Sequence, residues 1–167
     1  MPAVSDTSPL IGLAAISRLE LLRDQFGSVF IPQAVYAELK IESGFPGTNM
    51  LEQAFTDGWV EVKQVQNLPL INALRGELHL GEAEALALAI ELEVEMIVMD
   101  ERDGRSRARM MGLKTVGVLG ILLRAKKQGK IKSFAQEMNN LRREIGFFIS
   151  DELYQELMIQ AGENSPV

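Results

Sequence analysis

Apolar residues fall along the chain in two rhythms, short unbroken runs and longer stretches in which they recur at helical spacing. The short runs predict strands near 2–6, 28–31, 59–65, 96–100 and 114–117. The periodic stretches predict helices over 8–25, with a break near Ser17, and over 33–43, 48–57, 69–76, 82–94, 103–111 and 118–128. Two more helices are expected over 133–145 and 151–162. Strands alternating with helices are the mark of a parallel α/β sheet. Ser8-Pro9 reads as an N-cap followed by proline in the first helical position, and Gly27, Gly58 and Gly112 fall where helices should stop. Residues 1–132 thus form an α/β body, and 133–167 form a helical extension packed on the same domain, ending in a frayed tail from Glu163 to Val167.

Composition narrows the class. At 167 residues the chain suits one domain with a substantial core. It has no cysteine, which excludes disulfides, thiolate zinc sites and cysteine nucleophiles and is compatible with a cytoplasmic protein. The start of the chain enters a strand pattern at once, leaving no room for a signal peptide, and no apolar run approaches the roughly 20 residues that span a bilayer. The net charge of −6 argues against a nucleic-acid coat protein. Its distribution is uneven, however, with 12 of the 17 Lys and Arg residues lying in 100–145. Such a basic third can draw an anionic polymer toward a local site, although ordinary solvated helix faces account for it equally.

Five carboxylates stand out against this pattern: Asp6, Glu38, Glu82, Asp100 and Asp103. Asp6 and Asp100 each close an apolar run, and in open α/β sheets ligands bind beyond the carboxyl ends of strands. An Asx turn or cap would explain Asp6 as well. Glu38 falls on the arc of Ala34, Val35, Ala37, Leu39 and Ile41, while Lys40 points away. Glu82 projects with Ala85, Leu86 and Ala89, opposite to Glu84 and Glu91, which mark the solvent face of that helix. A first-turn acid favoured by the helix dipole would explain its place but not its direction. Asp103 follows Asp100 closely enough to turn toward the same point, or to cap a helix. Glu101 is expected to face solvent. Gathered acids repel one another, so a hard divalent cation is the expected counter-charge.

The ordered set of acids resembles the PIN-domain nucleases, the fold of the toxin ribonucleases found in toxin–antitoxin pairs. The pieces that carry the likeness are Val4-Ser5-Asp6-Thr7-Ser8-Pro9-Leu10, Pro32 through Leu39, Gly81-Glu82-Ala83 ahead of an alanine-rich helix, and Ile97-Val98-Met99-Asp100 with Asp103. The likeness is read from about residue 2 to 130, and the tail beyond departs from the compact toxin pattern. Glu82 stands where many relatives carry aspartate. The resemblance implies a three-layer α/β/α domain around a parallel sheet of about five strands. It also implies hydrolysis of RNA phosphodiester bonds with Mg²⁺ or Mn²⁺, leaving 5′-phosphate and 3′-hydroxyl ends. Asp6, Glu82 and Asp100 would be the principal ligands, with Glu38 and Asp103 completing the cluster. A homodimer, burying part of Val116–Leu123 and the tail, and a small antitoxin partner would go with a toxin role.

Around the acids, Arg102, Arg105 and Arg109 share one helix face, placed either to guide RNA phosphates or simply to face solvent. Ser8 offers a hydroxyl near the site, in competition with capping. The lone His79 is expected to be structural or solvated. Serine-hydrolase and nucleotide-binding signatures are absent. Two other functions compete: a catalytically silent PIN-fold module that binds RNA or protein, and a phosphate-accepting response domain. Lys114 is poorly placed for the latter.

Overall fold

The computed structural model describes residues 1–41 and 44–163. Its strands are β1 (Ala3–Ser5), β2 (Val29–Pro32), β3 (Val60–Lys63), β4 (Met96–Val98) and β5 (Lys114–Val116). The first helices are α1 (Thr7–Ala15), α2 (Glu20–Phe26), α3 (Gln33–Ile41), α4 (Thr48–Asp57) and α5 (Leu68–Leu74). They are followed by α6 (Leu80–Glu91), α7 (Arg102–Met110), α8 (Val118–Lys127), α9 (Phe134–Ile145) and α10 (Asp151–Gln160). Each predicted element has its counterpart, with ends shifted by a few residues. Residues 42 and 43, predicted to extend α3, and the tail residues 164–167 lie outside the described residues. The predicted break in the first helix is real: α1 ends at Ala15, Ser17 takes φ 60°, and α2 starts at Glu20.

The strands pair in parallel in the order β3-β2-β1-β4-β5. Their side chains alternate between two apolar clusters, Ala3 and Val98 on one face and Val4, Ile97 and Met99 on the other. Helices cover both faces, as a parallel sheet with apolar strands requires, and the result is a three-layer α/β/α domain. The strand order reverses at β1. The chain leaves β1 through α1 and α2 to reach β2 on one side, and returns from β3 through α5 and α6 to place β4 on the other. The β1/β4 boundary is therefore the topological switch point, where open α/β sheets leave a crevice at the carboxyl ends.

Helices α9 and α10 share the larger core cluster, through Phe134, Met138, Leu141 and Leu157. The start of α9 is tied down twice: Ser133 Oγ accepts from Gln136 N–H, and Glu163 accepts from the Phe134 and Ala135 amides. Within Val116–Leu123, Val118, Ile121 and Leu122 are buried in the core, so that stretch offers a partner less surface than its sequence implies. Among the described residues, no helix is long and apolar enough to cross a membrane.

The α1–α2 corner is held to α9 by an ion pair of 2.8 Å between Arg18 and the buried Glu137, whose second oxygen has no partner. Arg18→Ala strips the remaining partner from a buried carboxylate. Because Arg18 is 37 % exposed, the expected cost is moderate, about 2 kcal/mol, read from the urea midpoint. Adding Glu137→Met should recover most of it, since a matched apolar residue needs no partner. An unchanged midpoint in Arg18→Ala would show that the pair contributes nothing.

Candidate active site

Asp6 follows the last residue of β1, and its N–H donates to the Val98 carbonyl of β4 at 2.9 Å. This bond closes the β1/β4 seam and fixes where Asp6 stands. Helix α1 starts at Thr7, so Asp6 and not Ser8 occupies the N-cap position, and Pro9 is the third helical residue. The Asp6 side chain makes no capping bond, although it is buried. Ser8, freed from capping, is exposed on the wall of a neighbouring cavity.

That cavity has a volume of about 330 Å³ and is lined by Asp6, Thr7, Ser8, Glu38, His79, Glu82 and Glu101. Helix α3 supplies Glu38, whose Oε2 accepts from Thr7 Oγ1 at 2.7 Å. Helix α6 supplies Glu82. Its run of Ala83, Ala85, Ala87 and Ala89 is fully buried, and such small side chains let the helix sit close between sheet and neighbours. Close packing turns Glu82 inward, as its bearing predicts. Two glycines make room for these acids. A Cβ on Gly81 would strike the Glu38 carboxylate, and one on Gly104 would lie 3.1 Å from Glu82 Oε2. Gly81→Ala is therefore expected to displace Glu38 with the fold retained. Catalysis should fall about tenfold or more through lost positioning, measured as kcat beside an unchanged circular dichroism spectrum. Wild-type kcat in this variant would show that Glu38 need not be where it stands.

Asp100 lies just beyond β4. Its Oδ1 accepts from the Val118 N–H at the start of α8 at 2.8 Å, whereas Oδ2 is buried without a hydrogen-bond partner. A buried carboxylate oxygen without a partner is costly and calls for a cation or a proton. The electrostatics agree. Burial pushes the Asp6 carboxyl up from 3.8 to about 7, the Thr7 amide partly opposes this, and the charges of Glu82, Glu38 and Asp100 add to it. Glu82 is raised by burial and then by Glu101. Asp100 is raised by burial, against the Val118 amide and Arg105.

Asp103 is not brought to this cavity. Helix α7 begins one residue earlier than predicted, and Asp103, exposed in its first turn, lines a separate hollow with Glu77, Ser106, Arg107 and Met110. Glu101 is exposed, as expected, and also lines the cavity. His79, read as structural or solvated, lines the cavity as the N-cap residue of α6. Glu84 and Glu91 do not form a free solvent face either. Glu84 accepts from the Ala34 amide and Glu91 from the Gln66 and Asn67 amides, satisfying donors at the starts of α3 and α5. Arg102, Arg105 and Arg109 line a further hollow that also includes Asp100.

Among the described residues, no three acids or imidazoles converge closely enough to enclose one ion as they stand. The donors nevertheless suit a hard divalent cation. All are carboxylate oxygens, one is buried without a partner, and the lone imidazole excludes a histidine-rich site.

A family model described as a PIN domain matches residues 2–163. The match runs through α9 and α10, past residue 130 where the likeness of the acids stops. No curated protein matches the chain. PIN domains are generally nucleases that bind nucleic acid and usually use divalent metals. From its order of acids, its switch-point crevice and a match across nearly its whole length, the chain belongs to the PIN-domain family.

Proposed function

We propose that this PIN domain is an endoribonuclease that uses Mg²⁺ or Mn²⁺, with Asp6, Glu82 and Asp100 as principal ligands and Glu38 as a supporting acid. One observation carries the reading above all: the buried Asp6 and the half-buried Asp100 stand at the two sides of the switch point, and Oδ2 of Asp100 is buried without a hydrogen-bond partner. A bound divalent ion would supply a nucleophilic water at neutral pH and stabilise charge on the leaving oxygen. The chain's own residues set the geometry. Val118 N–H fixes one oxygen of Asp100 and leaves the other aimed by default. Thr7 holds Glu38, and the alanine-rich face of α6 holds Glu82 against the sheet. Glu101 adds acid at the mouth of the cavity, while Asp103 lines a separate hollow.

Substrate phosphates would be met by Arg102 and Arg105, and Ser8 would offer its hydroxyl from the cavity wall. The choice of RNA over DNA rests on the resemblance to toxin ribonucleases, as do a toxin role, an antitoxin partner and a homodimer. The decisive experiment is cleavage of labelled single-stranded and structured RNAs in EDTA, Mg²⁺ or Mn²⁺, beside Asp100→Asn. Metal-dependent cutting that the variant loses is the expected result. Cutting that persists in EDTA or in Asp100→Asn would overturn the assignment. Failure to cut in any condition, with no Mn²⁺ bound, would favour the silent interaction module.

A further inference from the structure

Beside the acidic cavity lies a larger hollow, of about 630 Å³, with a different lining. Asp100 belongs to it, while the next residue, Glu101, belongs to the acidic cavity, so the two hollows meet just past β4. Helix α7 contributes Arg102, Arg105 and Arg109, none of which forms an ion pair among the described residues. The link between α9 and α10 contributes Phe147 and Phe148. Phe147 packs partly against the larger core cluster. Phe148 does not: it is 86 % exposed, the most exposed large apolar side chain among the described residues. A single exposed apolar residue is ordinary. This one stands in a hollow shared with a carboxylate of the candidate site and three guanidinium groups free of ion pairs, of which Arg105 donates to the Met99 carbonyl and Arg109 to Thr115 Oγ1, each at 3.4 Å.

Cations free of ion pairs beside a flat π-face are the equipment of single-strand binding. The cations take phosphates, and the ring takes a base whose own face is free. A duplex cannot use such a ring, because its bases already stack on one another. We infer that this hollow seats a single-stranded stretch of RNA next to the cleaved phosphate, with the arginines on its backbone and one unpaired base on Phe148. The inference rests on the nuclease reading and deepens it. It makes the C-terminal helices part of the substrate site and makes the enzyme selective for unpaired RNA. Charge complementarity favours this occupant over a second copy of the chain, whose net charge is −6 but whose apolar surface could also cover Phe148.

The test uses the full chain. Binding of a fluorescent single strand and of a blunt duplex of the same sequence is measured in EDTA across a salt series, and KM and kcat are measured with Mn²⁺. Phe148→Ala is expected to weaken single-strand binding, or raise its KM, about tenfold, with duplex binding and the salt slope unchanged. Phe148→Trp should restore affinity, and its fluorescence should be quenched by the single strand. Arg105→Ala should instead flatten the single-strand salt slope by about 0.7. Because Phe148 is exposed, thermal unfolding should be the same in both Phe148 variants.

If wild type binds or cuts RNA and Phe148→Ala changes neither affinity nor KM, the inference falls and the nuclease reading stands. If Phe148→Ala weakens duplex and single strand alike, stacking is not its role. Conversion of a wild-type dimer to a monomer, with RNA affinity unmoved, would assign the face to a second copy and overturn the inference. If wild type neither binds nor cuts RNA, both readings fall together.

Discussion

Asp6→Asn is expected to lose RNA cleavage by on the order of a thousandfold or more, and to make the metal-free protein more stable. The two effects share one cause. Burial holds the Asp6 carboxyl at about 7, up from 3.8, and the neighbouring acids add to the shift. Below pH 3.8 the group is protonated both folded and unfolded, and it imposes no cost. Between there and about pH 7 the folded chain binds a proton that the unfolded chain releases, so this group's contribution to stability falls as pH rises. Above that window the full cost is present. At about 1.4 kcal/mol per pH unit it approaches roughly 4 kcal/mol before relaxation of the surroundings.

Asparagine keeps the shape and removes the charge, but its buried amide still needs partners. A net gain of about 2–3 kcal/mol at pH 8 in EDTA, or roughly 5–10 °C in Tm, is therefore expected. The gain should shrink toward zero near pH 4. A variant that is less stable than wild type at pH 8, or that still cleaves RNA, would remove Asp6 from the site. Stability gained by deleting a charge is the mark of a group kept for function rather than for folding.

The fold was legible because its central strands are buried on both faces. Such strands read as unbroken apolar runs, and Met96-Ile97-Val98 is one. The acids on helices were legible for a different reason. A helix assigns every residue a bearing, so Glu38 and Glu82 could be pointed inward before any contact was known. Bearings fail where a helix begins. Asp103, in the first turn of α7, lines another hollow, while Glu101 just ahead of the helix lines the cavity.

Bearings also cannot say what waits on the far side. Glu84 and Glu91 do point away from Glu82, but they meet the unpaired amides of α3 and α5 there, and not only water. His79 is exposed and is the N-cap residue of α6, in keeping with its reading, and nothing along the chain tells that it also lines the cavity. The tail gave too little signal for another reason. Its helices carry none of the acids that mark the family, so the likeness of the acids stops near 130, while the family match extends to residue 163.

Divalent-ion binding should show itself through protons. If Asp6, Glu82 and Asp100 gather around Mn²⁺, each must bind as a carboxylate, yet all three carboxyls are raised in the ion-free protein. Binding near pH 6.5 is therefore expected to expel on the order of one proton per site, and the release should fade toward pH 9. Apparent affinity should rise over the same interval, because fewer protons compete. Calorimetry in two buffers of different ionisation enthalpy measures the release directly. At a hundredfold excess over Kd, the ion should also stabilise the fold by about 2.7 kcal/mol, in a Tm shift that EDTA reverses. Asp100→Asn should lose most of that shift, since Oδ2 of Asp100 is the one oxygen of the site already buried without a partner. Binding at pH 6.5 with no proton released would mean that Mn²⁺ sits somewhere other than among these buried acids.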